Sequence, residues 1–454
     1  MAKVIKQTSG SMQLAVINQN TAAIDVGSML MMVSYTDAQG CQCLIETDGF
    51  TQSINELAKT LKEACVTHVA MEATGVYWMA LYEVLEQHGL TVTLINPRHF
   101  KNVTAQKTDV KDCQWLHQLH AHGLLRASHI APEIYRELKS YLHERNVLQQ
   151  QKSDTLNRIH RLLTLMNIKV QHLLSDIEGV SAMKLLRAIA DGEQNPDVLL
   201  SLIELNKLKA TEAELHLSLQ GIYQPQYIAI LQHLLKAYDF FKAEMKMYEL
   251  YIEQVLQKML PEDELGNKPV IEKKKGCVRK NQYSINVKGY LEEILQTDCT
   301  LIEGLDEIAI LTIIAVTGID MSKWPSSEHF VSWLNLSPRP KVSGGKLLGH
   351  QKRFTNNAAT QAFRLAAQAM WRNKGPLGNF YRKLAAKTDS KTAIKALARK
   401  LAVIFYNVVK HKSTYDKSRL AINEEQRNQR KVAQLKKMAV SYGFVLQPIA
   451  STSL

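Results

Sequence analysis

Apolar and polar residues follow two different rhythms between about Ala22 and His122. TAAIDV is a short apolar run that ends in polar and glycine residues, and MLMMVSYTD, across Gly27-Ser28, reads as its hairpin partner, with CQCLIE as a third strand. SINELAKTLKEAC then carries apolar residues at helical spacing behind a serine cap candidate. THVAME has the character of a buried strand, GVYWMALYEVLEQHG of a helix stopped by glycine, TVTLIN of a further strand, and DVKDCQWLHQLHAHG of a helix with aspartate in its first turn. Three strands in succession, then alternating helices and strands, predict an α/β domain with a mixed sheet covered by helices.

The strand signals vanish from about Pro132 to Leu260. YLHERNVLQQQKSDTLNRIHRLLTLMNIKVQHLL repeats apolar residues every three to four positions without Gly or Pro, and a second such run covers PQYIAILQHLLKAYDFFKAEMKMYELYIEQVLQKML. These predict a long helical arm, coiled-coil or antiparallel, whose apolar stripes need partners from this chain or a second copy. EDELGNKPVIEKKKGCVRKNQYS is polar and reads as a linker or mobile loop. The remainder is helical, interrupted by a loop rich in Gly, Pro and basic residues, SPRPKVSGGKLLGHQKRF. The expected division is 1–128 for the α/β domain, 129–262 for the arm, 263–290 for the linker, 291–417 for an all-α C-terminal domain and 418–454 for a charged tail.

Charge sharpens this division. Residues 331–440 hold 24 Lys and Arg against four acids, a net +20, while the whole chain is only +13. A basic final quarter on a mildly acidic body points to a polyanionic partner, of which nucleic acid is the commonest. No stretch reaches the roughly 18–20 apolar residues of a membrane span, and the N-terminus lacks a secretory pattern. The six cysteines form no C-x-x-C pair, which suits reduced thiols and a cytoplasmic location.

Four acids stand where catalytic chemistry would want them. Asp25 ends the first strand, Glu72 ends the later buried strand, and Asp109 and Asp112 lie three apart at a helix start, on one face. Each alone is an ordinary cap or turn residue. Together they offer the hard oxygen ligands of two Mg²⁺ or Mn²⁺ ions about 4 Å apart, as in phosphodiester cleavage.

IDVG, MEATGVYW, LINPRHFK and KTDVKDCQWL resemble the N-terminal half of the DEDD transposases of the one-hundred-and-ten family of insertion sequences. The resemblance covers most of the first 125 residues. It implies a RuvC-like, RNase H-type α/β fold with Asp25, Glu72, Asp109 and Asp112 as the metal-binding tetrad. GLDEIAILTIIAVTGID, FVSWLNLSPRP and KVSGGK resemble the family's second domain, and imply Ser343 as a nucleophile that links covalently to DNA. They further imply guidance by a structured bridge RNA. Three places depart from the family pattern: IEGLDE carries Glu303 and Asp306 where a proline and a glycine are usual, Asn335 stands for a glycine, and KRFTNN lacks one.

The chemistry implied for Ser343 is coherent, since an alkoxide attacking a phosphodiester exchanges one ester for another and keeps the bond energy for rejoining. Without the family, Ser-Gly-Gly reads as a turn. Gly344 and Gly345 would let backbone amides approach a phosphate, with Arg339, Lys341 and Lys346 stabilising its charge. Lys352, Arg353, Arg364, Arg372, Lys374, Arg382 and Lys383, then Lys391, Lys395, Arg399 and Lys400, are candidate phosphate contacts. Trp333, Trp371, Tyr77 and Trp78 are expected to pack in cores.

The expected function is therefore DNA recombination that moves a mobile element, by a homodimer or tetramer joined through the arm, near the nucleoid. Three alternatives stand beside it: a RuvC-like structure-specific nuclease using water, a non-catalytic nucleic-acid-binding relic, and an invertase of the same lineage.

Overall fold

The structure is a computed structural model that describes residues 15–96, 109–174, 176–203, 210–274, 281–338, 340–350 and 357–446, without the side chains of Asp109, His350 and residues 419–428. It divides into two compact units, Met1–Ile130 and Ala131–Leu454.

In the first unit the elements run β1 (Thr21–Val26), β2 (Leu30–Thr36), β3 (Gln42–Asp48), α1 (Thr51–Glu63), β4 (His68–Glu72), α2 (Trp78–Gln87), β5 (Thr91–Ile95) and α3 (Asp109–Ala121). The sheet order is β3-β2-β1-β4-β5. The first three strands meander antiparallel, and β4 and β5 join β1 in parallel through helical crossovers. This is the RNase H-like layout. Gly27 is required at the first hairpin, because a Cβ there would lie 2.2 Å from the Leu30 carbonyl oxygen. One face of the sheet packs Ile24, Val33, Val69 and Met71 against Leu57, Leu61, Leu81 and Leu85 of α1 and α2. The other face is made of small residues, Ala23 and Ala70, with Ile95, and receives Leu116 of α3.

The second unit opens with α4 (Glu133–Leu165), followed by α5 (Val180–Ala190), α6 (Pro196–Ser201), α7 (Glu212–Leu219) and α8 (Pro225–Met259). α4 and α8 lie antiparallel, as shown by the pairings of Glu137 with Lys258 and of Arg145 with Glu249. At the far end of this pair, Ile159, Leu163, Leu185, Leu199, Leu215 and Leu231 form a core of their own. At the near end Leu138, Leu142, Ile252 and Leu256 belong to a larger core.

That larger core gathers residues of α9 (Val287–Leu295), α10 (Glu307–Thr317) and α11 (Ser327–Trp333); the strands β6 (Pro340–Ser343) and β7 (Lys346–His350) add no described residue to it, α12 (Ala358–Ala369), α13 (Pro376–Lys387) and α14 (Ser390–His411) do, and α15 (Ser418–Ser441) adds none among its described residues. Phe330, Phe363, Phe405 and Tyr406 fill its centre with edge-to-face and tilted rings. Tyr283, Ile285, Val287 and Tyr290, from the segment read as a linker over 263–290, are buried in it too.

The glycine-rich stretch read as a loop is a two-stranded antiparallel hairpin, β6 against β7. Gly344 (φ +55°) and Gly345 (φ +77°) supply the two left-handed residues that a tight hairpin turn needs. Tyr77 and Trp371 lie at the surface rather than in a core, whereas Trp333 packs against the large core and Trp78 meets Tyr82 edge-on. Among the described residues no helix is long and apolar enough to cross a membrane.

Candidate active site

Asp25 is the last residue but one of β1, and Glu72 is the last of β4, its parallel neighbour. The register pairs Ile24 with Met71, so the next residue on each strand, Asp25 and Glu72, falls side by side. Side chains alternate across a strand, which puts both acids on the face of Ala23 and Ala70, the face that α3 covers. Glu72 is buried and Asp25 half-buried.

α3 is fastened to this face by polar groups. The Cys113 thiol lies 3.3 Å from the Ala23 carbonyl and 3.1 Å from that of Met32. One turn later, His117 bonds the Ser34 hydroxyl through Nδ1 at 3.0 Å and the Thr21 hydroxyl through Nε2 at 3.1 Å. His120 is buried beyond it, and its Nε2 finds no partner among the described residues. Burial pushes the Cys113 thiol up to about 12, holds His117 below the usual imidazole range and brings His120 down to about 4, with the nearby His68 and His117 adding to the last. These groups are neutral at physiological pH. None was singled out as functional from sequence, although Cys113 and His117 stand four apart on one helix face, which was the available signal.

Asp109 and Asp112 lie in the first turn of α3, the helix that covers this face, and Asp112 is half-buried. The side chain of Asp109 lies outside the described residues. Among the described residues no three His, Cys, Asp or Glu side chains gather closely enough to hold a metal ion. The donor chemistry, carboxylates only, with Asp25 and Glu72 on one face of the sheet, is of the kind that Mg²⁺ or Mn²⁺ takes.

Ser343 closes β6 opposite Lys346, at the base of the Gly344-Gly345 turn, and is exposed along with Lys341 and Lys346. Arg339, Lys352 and Arg353 lie outside the described residues. Arg364, Arg372 and Lys374 are exposed, with the Arg372 guanidinium 4.5 Å from the centre of the Trp371 ring. Arg382 and Arg399 are engaged within the fold: Arg382 donates to the carbonyls of Trp371 and Asn373, and Arg399 to Glu328.

A family model described as a transposase, of the DEDD type, matches residues 22–168. A second, described as the IS116/IS110/IS902 transposase family, matches residues 299–382. The chain belongs to the IS110 family of DEDD transposases. A comparison with curated proteins gave no match. Membership makes this protein a DNA transposase; of the departures noted in its sequence, KRFTNN lies outside the described residues but for Asn357, and the others have local structural answers. Asn335 adopts the left-handed conformation (φ +55°) that its glycine counterpart would, which asparagine tolerates. Asp306 caps α10 by accepting from the Ala309 amide at 2.8 Å. Glu303 pairs with Lys417, just ahead of α15.

Proposed function

We propose that this transposase cuts and rejoins DNA with a two-metal site built from Asp25, Glu72, Asp109 and Asp112, and with Ser343 as the nucleophile. The observation that carries the first half is the adjacency of Asp25 and Glu72 on the sheet face that α3 covers. A divalent metal held by those four carboxylates supplies charge neutralisation at the phosphate and lowers the pKa of the attacking hydroxyl. Ser343 Oγ forms the new ester bond to phosphorus as the bond from phosphorus to the DNA oxygen breaks, and the proton that the serine gives up ends on that leaving oxygen. Lys341 and Lys346 beside it hold the charge that builds on the phosphate oxygens.

The exposure of Ser343 beside a tight turn supports this role, because a nucleophile has to be within reach of a DNA strand. The strongly basic region 331–440 supports a nucleic-acid partner, and a bridge RNA that pairs with donor and target DNA is the reading drawn from the family. Two or more copies, meeting through the arm, complete strand exchange.

The test is cleavage of a DNA carrying the element ends, run with the co-expressed flanking RNA and Mg²⁺. Ser343→Ala should abolish the covalent protein–DNA adduct, and Asp25→Asn or Glu72→Gln should abolish cleavage. Continued cutting by Ser343→Ala without an adduct would instead make water the nucleophile.

A further inference from the structure

The thiol of Cys113 sits over one cell of the ladder between β1 and β2. Ala23 pairs with Ser34 and Asp25 with Met32. The sulphur meets the carbonyls of Ala23 on β1 and Met32 on β2, one on each side of the cell. The side chain that fills this cell is therefore bonded to Met32, the cross-strand partner of one proposed ligand, Asp25, and directly follows another, Asp112.

His117 makes a second attachment one helical turn away, again to both strands, through Ser34 on β2 and Thr21 on β1. A helix that rests on a sheet through apolar contacts alone is free to slide and roll by small amounts, since such contacts have no direction. Two directional attachments, four residues apart and each spanning two strands, fix both the height and the roll of α3. The flat platform of Ala23 and Ala70 beneath offers no ridge that would do so by shape.

We propose that Cys113 and His117 are positioning residues, which set the first-turn aspartates of α3 at the correct distance from Asp25 and Glu72. This rests on the four-carboxylate reading given above. Groups behind metal ligands typically alter affinity by about 10–100-fold when removed.

The experiment measures Mn²⁺ binding to the full-length, metal-free protein by calorimetry and electron paramagnetic resonance, with melting temperature recorded beside it. Cys113→Ala and His117→Ala should weaken Mn²⁺ binding by roughly tenfold. Cys113→Ser and His117→Asn, which retain a bonding group, should restore most of it. Trp115→Ala, on the outer face of α3, should bind as the unaltered protein does. Unaltered affinity in both alanine variants would overturn the proposal. Where an alanine variant does not fold, Cys113→Val, close in bulk but unable to bond, is compared with Cys113→Ser, and equal affinities overturn it equally. Asp25→Asn and Glu72→Gln run alongside separate the two claims. Their loss of Mn²⁺ binding with unaltered Cys113 and His117 variants defeats the positioning role alone, while unaltered binding in them defeats the carboxylate reading and this proposal with it.

Discussion

Arg145 and Glu249 face each other across α4 and α8 at 2.8 Å, each side chain only 4% exposed. The second carboxylate oxygen of Glu249 accepts from the backbone amide and hydroxyl of Ser284, and the Arg145 guanidinium lies 3.9 Å from the centre of the Tyr283 ring. The root of the arm is thus tied to the segment that leads into the C-terminal helices. Removing one member of such a pair strands the other charge in a dry site, at a cost of about 3–5 kcal/mol. Glu249→Leu should lower the urea midpoint accordingly, and the double variant Arg145→Leu with Glu249→Leu should recover much of the loss.

The β6–β7 turn gives a second expectation. Gly345 holds φ +77°, and a side chain there meets no neighbour within 4 Å among the described residues but strains the backbone. A β-branched residue is the least tolerant of that conformation. Gly345→Val should therefore distort the turn beside Ser343 and cut adduct formation sharply, while the melting temperature of the whole chain stays nearly constant, because the hairpin adds nothing to the core.

Acid should loosen the first unit through its histidines. His120 is held at about 4 and His117 is lowered, both by burial, whereas an unfolded histidine titrates near about 6.5. Between those values the unfolded chain binds more protons, so this part of the stability is complete above about pH 6.5 and is lost as pH falls toward 4. Each histidine contributes a slope of at most about 1.4 kcal/mol per pH unit. The groups facing His120 are His117 on its own helix and His68 on β4. Replacing His120 by Leu should flatten the slope measured by urea unfolding from pH 4.5 to 7, and an unchanged slope would assign the effect elsewhere.

DNA affinity should separate the exposed basic residues from those employed in the fold. Each phosphate contact steepens the salt dependence by roughly 0.9 in log–log terms. Arg364→Ala and Lys374→Ala should each reduce that slope by up to about one, with unchanged melting. Arg382→Ala and Arg399→Ala should instead lower stability, since their guanidiniums bond Trp371, Asn373 and Glu328. Fluorescence anisotropy over a salt series distinguishes the two groups.

The strands and helices of the first unit were legible because burial there enforces clean periods: TAAIDV and THVAME are apolar on both faces, as strands between two helical layers must be. The placing of Asp25 and Glu72 near strand ends came from the apolar runs that precede them, and in the ladder each follows directly on the Ile24–Met71 pair. Other features were hidden for physical reasons. The hairpin escaped notice because its residues face solvent on both sides, so no alternation of apolar and polar marks the strands. Nothing in the sequence marks Arg145 or Glu249 as buried, since only the partner across the arm makes their burial tolerable. Cys113 and His117 were overlooked because their partners are backbone carbonyls and hydroxyls distant in the chain, which no local pattern records.

The tip of the arm, with Ile159, Leu185 and Leu215 at its heart, shares no buried apolar residue with the base that carries Ser343. A lineage is free to lengthen, trim or resculpt that tip without retuning the machinery at the other end. Whatever molecule touches the tip sets the pace of its change, and the rest of the transposase need not follow.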